Sequence, residues 1–331
     1  MKIAIAGLGN VGAATLKLLC ENAALLRARA GQDLAVTAVS ARDKSKPRAC
    51  DASGIDWAED PCDLAARADV DTVVEAIGGA EGISYDLALA ALRGGKHFVT
   101  ANKALIAAHG VELALAAEQA GVRLSFEAAV CGAVPVLKAL REGLAANHVS
   151  SLRGILNGTC NYILTRMEEE GADFDTVLAD AQRQGYAEAD PSDDIDGFDT
   201  ANKLAILTAV AFGRAPDLDA VFVEGIRSLT VGDLREAAAR GGRIKLLGVA
   251  TRGADGEVVQ RVQPVFVPLD EPLARVGGVL NALEIVSNCA GETLIEGRGA
   301  GNPTASAIVA DLVDIARGPR FYAFGVPAGT L

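Results

Sequence analysis

The first forty residues constrain the fold of this 331-residue chain more than any other segment. Residues 2–6 form a short apolar run of β-type character, followed at once by Gly7-Leu8-Gly9-Asn10-Val11-Gly12 and then by a helix-favouring stretch. In such a unit the first glycine permits a tight turn, the second lets the backbone approach a pyrophosphate, and the third lets the helix pack on the strand. Because residues 34–40 supply a second strand, the spacing predicts a βαβ unit that binds a dinucleotide, rather than a glycine-rich turn that binds nothing.

Strands and helices continue to alternate beyond this unit. Residues 71–76 and 96–100 are predicted strands, with a predicted helix at 85–93 between them. Ligands bind at the carboxyl edge of a parallel sheet, so the residues at these strand ends are candidate cofactor contacts, although a lysine that opens a helix is most often only solvated. Those residues are Ile77, Gly78, Thr100 and Lys103. The pattern predicts an α/β protein with a Rossmann-type nucleotide-binding domain.

The loop after the second strand bears on which dinucleotide is bound. An NAD-selective domain usually places an acidic residue there, against the ribose hydroxyls. This chain has Arg42, Lys44 and Lys46 after Ser40, and such cations suit a 2′-phosphate. We therefore favour NADP, while Asp43 leaves NAD as an alternative and a solvated basic loop would need neither.

An acidic segment at residues 185–203, GYAEADPSDDIDGFDTANK, marks the second half of the chain. Asp199 and Lys203 are four residues apart, and as an exposed helical pair they would contribute only about 0.3–0.5 kcal/mol. The helix that follows is apolar on several faces, so Lys203 is expected to face inward, where a charge needs partners. Glu188, Asp194 and Asp199 are candidates for that role and for binding a substrate ammonium group.

Two further turns carry polar groups with more than one interpretation. Glu127 follows a predicted strand at 122–126, and a carboxylate with nearby backbone carbonyls can hold a hard cation. The alternative is a plain connection to a helix that begins at Pro135 and runs to residue 144. Asn157 and Thr159 either cap a helix, which is the more common role, or contact a substrate.

Composition argues against several classes of partner. The net charge is −12, with 31 basic and 43 acidic residues, which disfavours nucleic acid and anionic membrane surfaces. The six cysteines are scattered without metal-ligand spacing, and no apolar run has the features of a signal peptide or a membrane span. We expect a cytoplasmic protein that binds neither nucleic acid nor membrane.

The chain is long enough for two domains. Segments of β-type character at 243–252 and 258–269 predict an additional, mostly antiparallel sheet. We expect residues 1–126 and 297–331 to form the nucleotide-binding domain. Residues 127–296 are then an α+β domain for substrate binding, catalysis and dimerisation.

Five motifs, taken in order, resemble homoserine dehydrogenase: GLGNVG, TANKAL, NGTCNYI, GYAEADPSDDIDGFDTANKLAIL and GRGAGNPTASAIVADL. The resemblance covers about residues 1–318, and the acidic segment is far more specific than the nucleotide fingerprint. It implies the NAD(P)-dependent interconversion of L-homoserine and L-aspartate 4-semialdehyde, in threonine, methionine and isoleucine biosynthesis. It also implies a homodimer, as does the additional sheet.

The resemblance further implies roles for individual residues. Lys203 becomes the catalytic lysine, and Lys103 a second lysine that assists at the nicotinamide end. The substrate contacts and their supporting residues are Glu188, Asp194, Asp199, Thr159 and Tyr186. A monovalent cation, expected to be sodium, is held by one carboxylate and three carbonyls, those of Glu127, Val130, Gly132 and Val134. The cofactor contacts are Gly7, Leu8, Gly9, Asn10, Val11, Gly12, Arg42, Lys44, Ile77, Gly78, Thr100, Lys103 and Gly301.

Two alternatives stay open at this point. The chain is compatible with another NAD(P)-dependent dehydrogenase of a small amino-acid derivative, because a fold alone does not fix a substrate. A protein that senses NADP without turnover is also compatible, although both lysines and the three acids speak against it. Many family members continue into a small ACT-type domain, whereas this sequence stops at Leu331. We therefore expect a short or truncated form, without threonine feedback through that domain.

Overall fold

The computed structural model describes residues 1–299, 302–318, 324 and 327–331. The chain divides into two compact units. Unit 1 comprises Met1–Glu142, Gly213–Pro216 and Ala300–Leu331, and unit 2 comprises Gly143–Phe212 and Asp217–Gly299. Among the helices in the described ranges, none is long and apolar enough to cross a bilayer.

In its described part, unit 1 is a parallel sheet with helices packed on it. The strands are β1 (Lys2–Ala6), β2 (Ala35–Ser40), β3 (Asp56–Ala58), β4 (Thr72–Glu75), β5 (His97–Thr100) and β6 (Leu124–Ser125). The helices are α1 (Asn10–Glu21), α2 (Ala23–Ala30), α3 (Asp63–Ala66), α4 (Ile83–Arg93), α5 (Lys103–Ala120), α6 (Val136–Lys138) and α12 (Asn302–Arg317). The strand order β3-β2-β1-β4-β5-β6 confirms the predicted Rossmann-type fold.

The core of unit 1 explains the apolar runs in the sequence. Ile3 and Ile5 of β1, Val39 of β2 and Val74 of β4 are completely buried, in a cluster that includes residues of α1, α2 and α12. Strands of a parallel sheet covered on both faces are apolar throughout rather than alternating. The apolar run at residues 2–6 was therefore sufficient to predict a strand from the sequence alone.

The helix predicted from Pro135 to residue 144 is present, as an α-helical turn at Val136–Lys138 that continues as a π-helical turn at Ala139–Gly143. The short strand β3 was not predicted. Its three residues carry no alternation long enough to indicate a strand.

Unit 2 combines helices with a second sheet. The strands are β7 (Val149–Ile155), β8 (Val221–Val223), β9 (Gly242–Arg252), β10 (Val258–Pro268), β11 (Leu280–Ser287) and β12 (Gly291–Arg298). The helices are α7 (Gly158–Glu170), α8 (Phe174–Arg183), α9 (Ser192–Ile195), α10 (Phe198–Phe212) and α11 (Val231–Ala239). The strand order is β12-β11-β7-β9-β10-β8, with β8 parallel to β10 and the other neighbours antiparallel. This confirms the predicted α+β class.

The two faces of this second sheet differ. A Cβ placed on Gly248 would lie 3.0 Å from the side chain of Leu156 and 3.3 Å from that of Thr200, so this position of β9 faces α10. Successive residues of a strand point to opposite faces, so Val249 points away from α10, where it is only half-buried. The face away from α10 thus carries apolar residues that are not fully covered.

Lys245 of β9 is an unusual member of the unit 2 core, since it is only 2% exposed. Its ammonium nitrogen donates to the Asn161 side-chain oxygen at 3.1 Å and to the Val276 carbonyl at 2.7 Å. Burial, with a smaller effect from the Arg243 charge, lowers the pKa of Lys245 to about 8. A depression of that size corresponds to a penalty on the order of 3 kcal/mol for the charged form.

We expect Lys245→Met to flatten the alkaline pH dependence of stability. The folded-state pKa lies below the unfolded value of 10.5, so the folded protein binds fewer protons between about pH 8 and that value. The free energy of unfolding of the unsubstituted protein should therefore rise through this window, and the variant should lack that rise. Urea unfolding at a series of pH values measures it.

Lys96→Met is the matched control, because the Lys96 ammonium also donates to two carbonyls, those of Arg67 and Val70. We expect Lys96→Met to retain the alkaline rise. Equal slopes for Lys245→Met and the unsubstituted protein would contradict a depressed pKa for Lys245.

Candidate active site

The glycine-rich turn of unit 1 leaves the first turn of α1 accessible. Gly7 has a φ of +94°, and a Cβ there would lie 2.4 Å from the Ala76 carbonyl oxygen. A Cβ on Gly12 would lie 1.8 Å from the Gly7 carbonyl oxygen, so helix and turn are in close contact. A Cβ on Gly9 would meet nothing within 4 Å, and no side chain caps α1. The free N–H groups and the open space at Gly9 fit a pyrophosphate.

A cleft of about 420 Å³ opens beside this turn. Leu8 and Asn10 line it, as do Lys46 and Arg48 from the loop after β2. The side chain of Val11, also predicted to contact the cofactor, packs partly buried against the core. The structure therefore brings the middle of the glycine motif, Leu8–Asn10, and two cations of the basic loop to one cleft.

Arg48, which the sequence analysis missed, holds the basic loop in shape. Its guanidinium donates to the carbonyls of Asp43, Lys44, Lys46 and Leu8, at 2.7 Å in the case of Lys46. It also lies 5.2 Å from the centroid of the Trp57 ring, with the Lys44 ammonium 5.5 Å from the same ring. An arginine eight residues beyond the strand gave no local signal, because its hydrogen-bond partners are backbone atoms.

The acid that could favour NAD is already engaged within the loop. The Asp43 carboxylate accepts hydrogen bonds from the Ser45 N–H at 2.9 Å and from the Ser45 hydroxyl at 2.7 Å. These bonds lower the pKa of Asp43. Arg42 is exposed just after β2. The loop thus presents cations, while the Asp43 carboxylate stabilises a turn.

The ends of β4 and β5 meet through a carboxyl group that the sequence analysis did not single out. Glu75 is completely buried and accepts the N–H groups of Ile77 at 2.7 Å and Gly78 at 2.8 Å. It also accepts the Thr100 hydroxyl. Three predicted cofactor residues, Ile77, Gly78 and Thr100, are therefore connected through one side chain.

Lys103 is the first residue of α5, as predicted, and is half-buried. Asn102 caps that helix by accepting the Leu105 N–H at 3.1 Å, and its amide donates to the Gly79 carbonyl at 2.7 Å. Gly301, predicted to return to the cofactor, lies outside the described residues.

The predicted cation site lies on a buried loop of unit 1. Cys131 and Gly132 both adopt left-handed backbone conformations, with φ of +56° and +55°. The Val134 carbonyl accepts the Val136 N–H at 2.7 Å, and the Glu127 carboxyl oxygens accept the N–H groups of Leu137 and Lys138. These oxygens keep further lone pairs, so the oxygen-only set of Glu127, Val130, Gly132 and Val134 fits a hard cation. Among the described residues, no group of three or more His, Cys, Asp or Glu side chains could hold a metal ion.

Further ionisable groups surround Glu127. The Glu127 N–H donates to the Asp311 carboxylate at 3.0 Å, and the Lys138 ammonium pairs with Asp311 at 3.6 Å and with Asp314. Burial, together with the nearby charge of Asp311, raises the pKa of Glu127 to about 7. Burial likewise raises the pKa of Asp311 to about 6. Two carboxyl groups are thus held close together in the interior of unit 1.

In unit 2, the predicted catalytic lysine is firmly held. The Lys203 ammonium donates to the Asp199 carboxylate at 2.6 Å and to the Leu156 carbonyl at 2.8 Å. The Lys203 side chain is 15% exposed and that of Asp199 is 6% exposed. The pair is therefore not the solvated helical pair that the spacing alone would allow.

Asn157 joins the buried carboxylate of Asp199 to the half-buried carboxylate of Asp194. Its amide nitrogen lies 2.7 Å from Asp194 and 2.7 Å from Asp199, while its oxygen caps α7 by accepting the Cys160 N–H at 2.8 Å. Burial and the like charge of Asp199 raise the pKa of Asp194, against opposing contributions from Asn157, Lys203 and Thr159. The sequence analysis had left Asn157 as either a cap or a substrate contact, and the structure shows that it is a cap and also a bridge.

The remaining predicted substrate residues lie nearer the surface. The Thr159 hydroxyl donates to the Tyr186 carbonyl at 2.8 Å. Tyr186 is 44% exposed and its ring centroid lies 4.9 Å from that of Tyr162. Glu188 is exposed, and its backbone carbonyl accepts the Gln182 amide at 3.0 Å. The structure thus groups Asp194, Asp199 and Lys203 tightly and leaves the Glu188 side chain on the surface.

Three acids of the same segment had no predicted role. Asp190 closes a turn by accepting the Ser192 N–H and hydroxyl at 3.1 and 2.7 Å. Asp196 forms a two-pronged ion pair with Arg227, which also donates to the Ser192 hydroxyl at 3.0 Å. Asp193 is exposed. Asp190 and Asp196 therefore shape the loop that carries Asp194.

Comparison with known proteins accounts for both units. The family model described as "Homoserine dehydrogenase, NAD binding domain" matches residues 7–127, and the model described as "Homoserine dehydrogenase" matches residues 135–313. A homoserine dehydrogenase of Pseudomonas aeruginosa is 48% identical over 318 residues, which are 96% of this chain and 72% of that protein.

Solved structures give the same result. A homoserine dehydrogenase from Thiobacillus denitrificans matches with a TM-score of 0.92 at 46% identity, over 96% of this chain and 73% of that one. A hyperthermophilic archaeal homoserine dehydrogenase in complex with NADPH matches with a TM-score of 0.82 at 26% identity, over 97% of this chain and 99% of that one. With two family models, a relative of this identity and these structures in agreement, the chain belongs to the homoserine dehydrogenase family of nicotinamide-dependent oxidoreductases that act on a CH–OH group.

Proposed function

We propose that this chain interconverts L-homoserine and L-aspartate 4-semialdehyde with Lys203 as the proton carrier. The observation that carries the proposal is the arrangement of the Lys203 ammonium, which is held 2.6 Å from Asp199 and 2.8 Å from the Leu156 carbonyl. Two fixed acceptors on one side leave the third ammonium proton to be directed elsewhere. In this proposal, Lys203 transfers that third ammonium proton to a substrate oxygen.

Reduction of an aldehyde requires a hydride at the carbonyl carbon and a proton at its oxygen. The nicotinamide supplies the hydride when it is bound. Lys203 protonates the oxygen as negative charge develops there, and in the reverse direction it accepts the proton of the alcohol. Asp199 orients the ammonium through their hydrogen bond, which limits the positions that the donor can take.

Carboxylates complete the substrate site in this proposal. Asp194 and Glu188 bind the substrate ammonium group, with Asp199 in support, because an ammonium is a triple donor that pairs well with carboxylates. Thr159 and Tyr186 are further contacts. The exposed Glu188 side chain is free of the tight Asp194 and Asp199 cluster, and we infer that it turns toward the substrate on binding.

The cofactor contacts are proposed at the carboxyl edge of the unit 1 sheet. The uncapped N-terminus of α1 and the open space at Gly9 support pyrophosphate binding there. Ile77, Gly78, Thr100 and Lys103 are assigned to the nicotinamide end. We also propose a monovalent cation, with sodium as the expected ion, at Glu127 and the carbonyls of the loop described above, where its positive charge would offset the buried carboxyl group.

We expect Lys203→Met to lower turnover by about 10²–10⁴-fold, the usual contribution of a positioned proton donor. Turnover is followed by the absorbance of the reduced nicotinamide, with aspartate semialdehyde and either NADPH or NADH. The matched control is Lys245→Met, since both lysines are largely buried in unit 2 and Lys245 has no place in the proposed site. The control variant should keep its turnover.

Near-normal turnover of folded Lys203→Met would contradict the assignment of the proton to Lys203. Turnover only with a different aldehyde would favour another dehydrogenase of small amino-acid derivatives. Binding of a nicotinamide nucleotide without any turnover would favour a sensor.

We propose that Asn157 reduces the repulsion between the neighbouring carboxylates of Asp194 and Asp199, because its amide donates a hydrogen bond to each of them. We expect Asn157→Ser, which retains a capping oxygen, to destabilise the protein more at about pH 7 than at about pH 4. The Asn157 amide opposes the rise in the Asp194 pKa, so its loss raises that pKa further. A carboxyl group with a raised folded-state pKa weakens stability above that pKa and has no such effect below its unfolded value. Urea unfolding at both pH values measures the difference.

Asn202→Ser serves as the control for this change. Asn202 lies on α10, and its amide donates only to the Phe198 carbonyl among the described contacts, at 2.9 Å. Its effect on stability should be the same at both pH values. An equal loss for Asn157→Ser at the two pH values would contradict the bridging role.

We further propose that NADP is preferred over NAD. The cationic loop after β2 and the engagement of Asp43 by Ser45 support this preference. We expect the double variant Arg42→Met/Lys44→Met to raise the KM for NADPH by about tenfold or more, since contacts between charged groups contribute on the order of 1.5–3 kcal/mol. The KM for NADH should change by less than about twofold.

The control for this loss of charge is Arg27→Met, on the exposed surface of α2 in the same unit. It should leave both KM values unchanged. Equal increases for NADPH and NADH in the double variant would show that the two cations do not recognise a 2′-phosphate.

Finally, we propose that the chain forms a homodimer through the face of the unit 2 sheet that points away from α10. Val249 and Val265 are half-buried on this sheet and Val259 is 49% exposed, so apolar area remains to be covered. The cytoplasmic location expected from the cysteine pattern stays a prediction.

A further inference from the structure

Glu75 is a completely buried side chain for which the proposed reaction has no use. It ends β4, after three apolar or β-branched residues that are also buried. A carboxyl group in such a place lowers stability unless both of its oxygens are hydrogen-bonded. An apolar side chain would fill the position without that requirement, so the network around Glu75 needs an explanation other than packing.

The carboxyl group is fully used. One oxygen accepts the N–H groups of Ile77 and Gly78 at 2.7 and 2.8 Å and the Ser84 hydroxyl at 3.2 Å. The other oxygen accepts the Thr100 hydroxyl. One side chain therefore ties the loop after β4 to the end of β5.

Besides the bonds to Glu75, the loop after β4 is held by the Ser84 hydroxyl, which also donates to the Gly78 carbonyl at 2.9 Å, and by the Asn102 amide. Gly78 and Gly79 are consecutive glycines with φ of +96° and +87°, and a Cβ on either would meet nothing within 4 Å. Glycines lose more backbone freedom on folding than other residues do. The hydrogen bonds that the Glu75 carboxyl group accepts fix the orientation of the Ala76–Ile77 and Ile77–Gly78 peptide groups.

The network also reaches the start of α5. The Thr100 hydroxyl, which donates to Glu75, accepts the Asn102 N–H at 2.9 Å. The Asn102 amide donates to the Gly79 carbonyl at 2.7 Å, which closes the connection between the two loops. Lys103 follows Asn102 directly, as the first residue of α5.

We propose that Glu75 is a positioning residue for hydride transfer, which acts through Thr100. It holds the backbone of the loop after β4 and the start of α5, with Lys103, in the geometry that the nicotinamide ring requires. This inference rests on the proposed function, because that proposal assigns Ile77, Gly78, Thr100 and Lys103 to the nicotinamide end.

The test uses Glu75→Gln, which is nearly isosteric. The glutamine oxygen still accepts the Ile77 and Gly78 N–H groups, whereas its nitrogen cannot accept the Thr100 hydroxyl proton and can only donate to the Thr100 oxygen, so that proton loses its acceptor. Thr100→Val removes the link completely, and Thr100→Ser retains it. Thr72→Val is the control, since Thr72 is equally buried at the opposite end of β4 and its hydroxyl contacts Met1.

Four quantities are measured on each full-length variant: kcat, the KM for each substrate, the thermal midpoint, and the primary isotope effect with deuterated reduced nicotinamide. We expect Glu75→Gln and Thr100→Val each to lower kcat by about tenfold or more, because small misplacements of reacting groups slow transfer strongly. The isotope effect should rise as hydride transfer becomes more rate-limiting, and the KM for aspartate semialdehyde should stay within about twofold. The double variant should be no slower than the slower single variant, and Thr100→Ser should recover most of the turnover that Thr100→Val loses.

A lower thermal midpoint with unchanged kcat and isotope effect would overturn the inference and leave Glu75 a purely structural residue. If Glu75→Gln does not fold, the comparison of Thr100→Val with Thr100→Ser decides the question by the same criteria. Failure of the proposed function is distinguishable, because it appears as absent turnover in the unsubstituted enzyme or as normal turnover in Lys203→Met.

Discussion

The buried carboxylate of Asp199 is the interaction on which unit 2 most depends. It is 5% exposed and accepts hydrogen bonds from both the Lys203 ammonium and the Asn157 amide. Removing either partner would leave a charge in the interior without full compensation, which is strongly unfavourable. Asp199 therefore connects the beginning of α10 to the start of α7, and Lys203 adds a bond to the Leu156 carbonyl just after β7. The lysine is in place because the burial of charge requires it.

Unit 1 uses the same principle with neutral donors. Glu75 is as deeply buried as any residue of the sheet, yet its partners are two backbone N–H groups and two hydroxyls. These four hydrogen bonds fix the geometry of the loop, and none of the four donors is a charged side chain. In both units, then, a buried carboxyl group at the end of a secondary-structure element orders the residues that the proposed reaction needs.

Local patterns predicted the parts of the structure that depend on neighbours in the chain. The glycine turn, the first strand and the Asp199 and Lys203 pair all follow from spacings of a few residues, and the structure contains each of them. The same reasoning could not find the two bonds from Asn157, whose partners lie 37 and 42 residues away. It also missed Glu75, because a single acid inside a predicted strand gives no indication of the two loops that it connects. Long-range hydrogen bonds leave no periodic signal, so the supporting residues of a site are harder to predict than its reactive ones.

The acidic segment shows why composition alone misleads here. Asp190 and Asp196 are aspartates like Asp194 and Asp199, but Asp190 closes a turn and Asp196 pairs with Arg227. The contrast between the lysines of unit 2 makes the same point. Both Lys203 and Lys245 are largely buried, but Lys203 faces a carboxylate at 2.6 Å, whereas the oxygens that accept from Lys245 belong to an amide and a carbonyl. Burial by itself therefore does not single out a candidate proton donor; what distinguishes the two lysines is a charged partner, which holds the Lys203 ammonium in one fixed orientation.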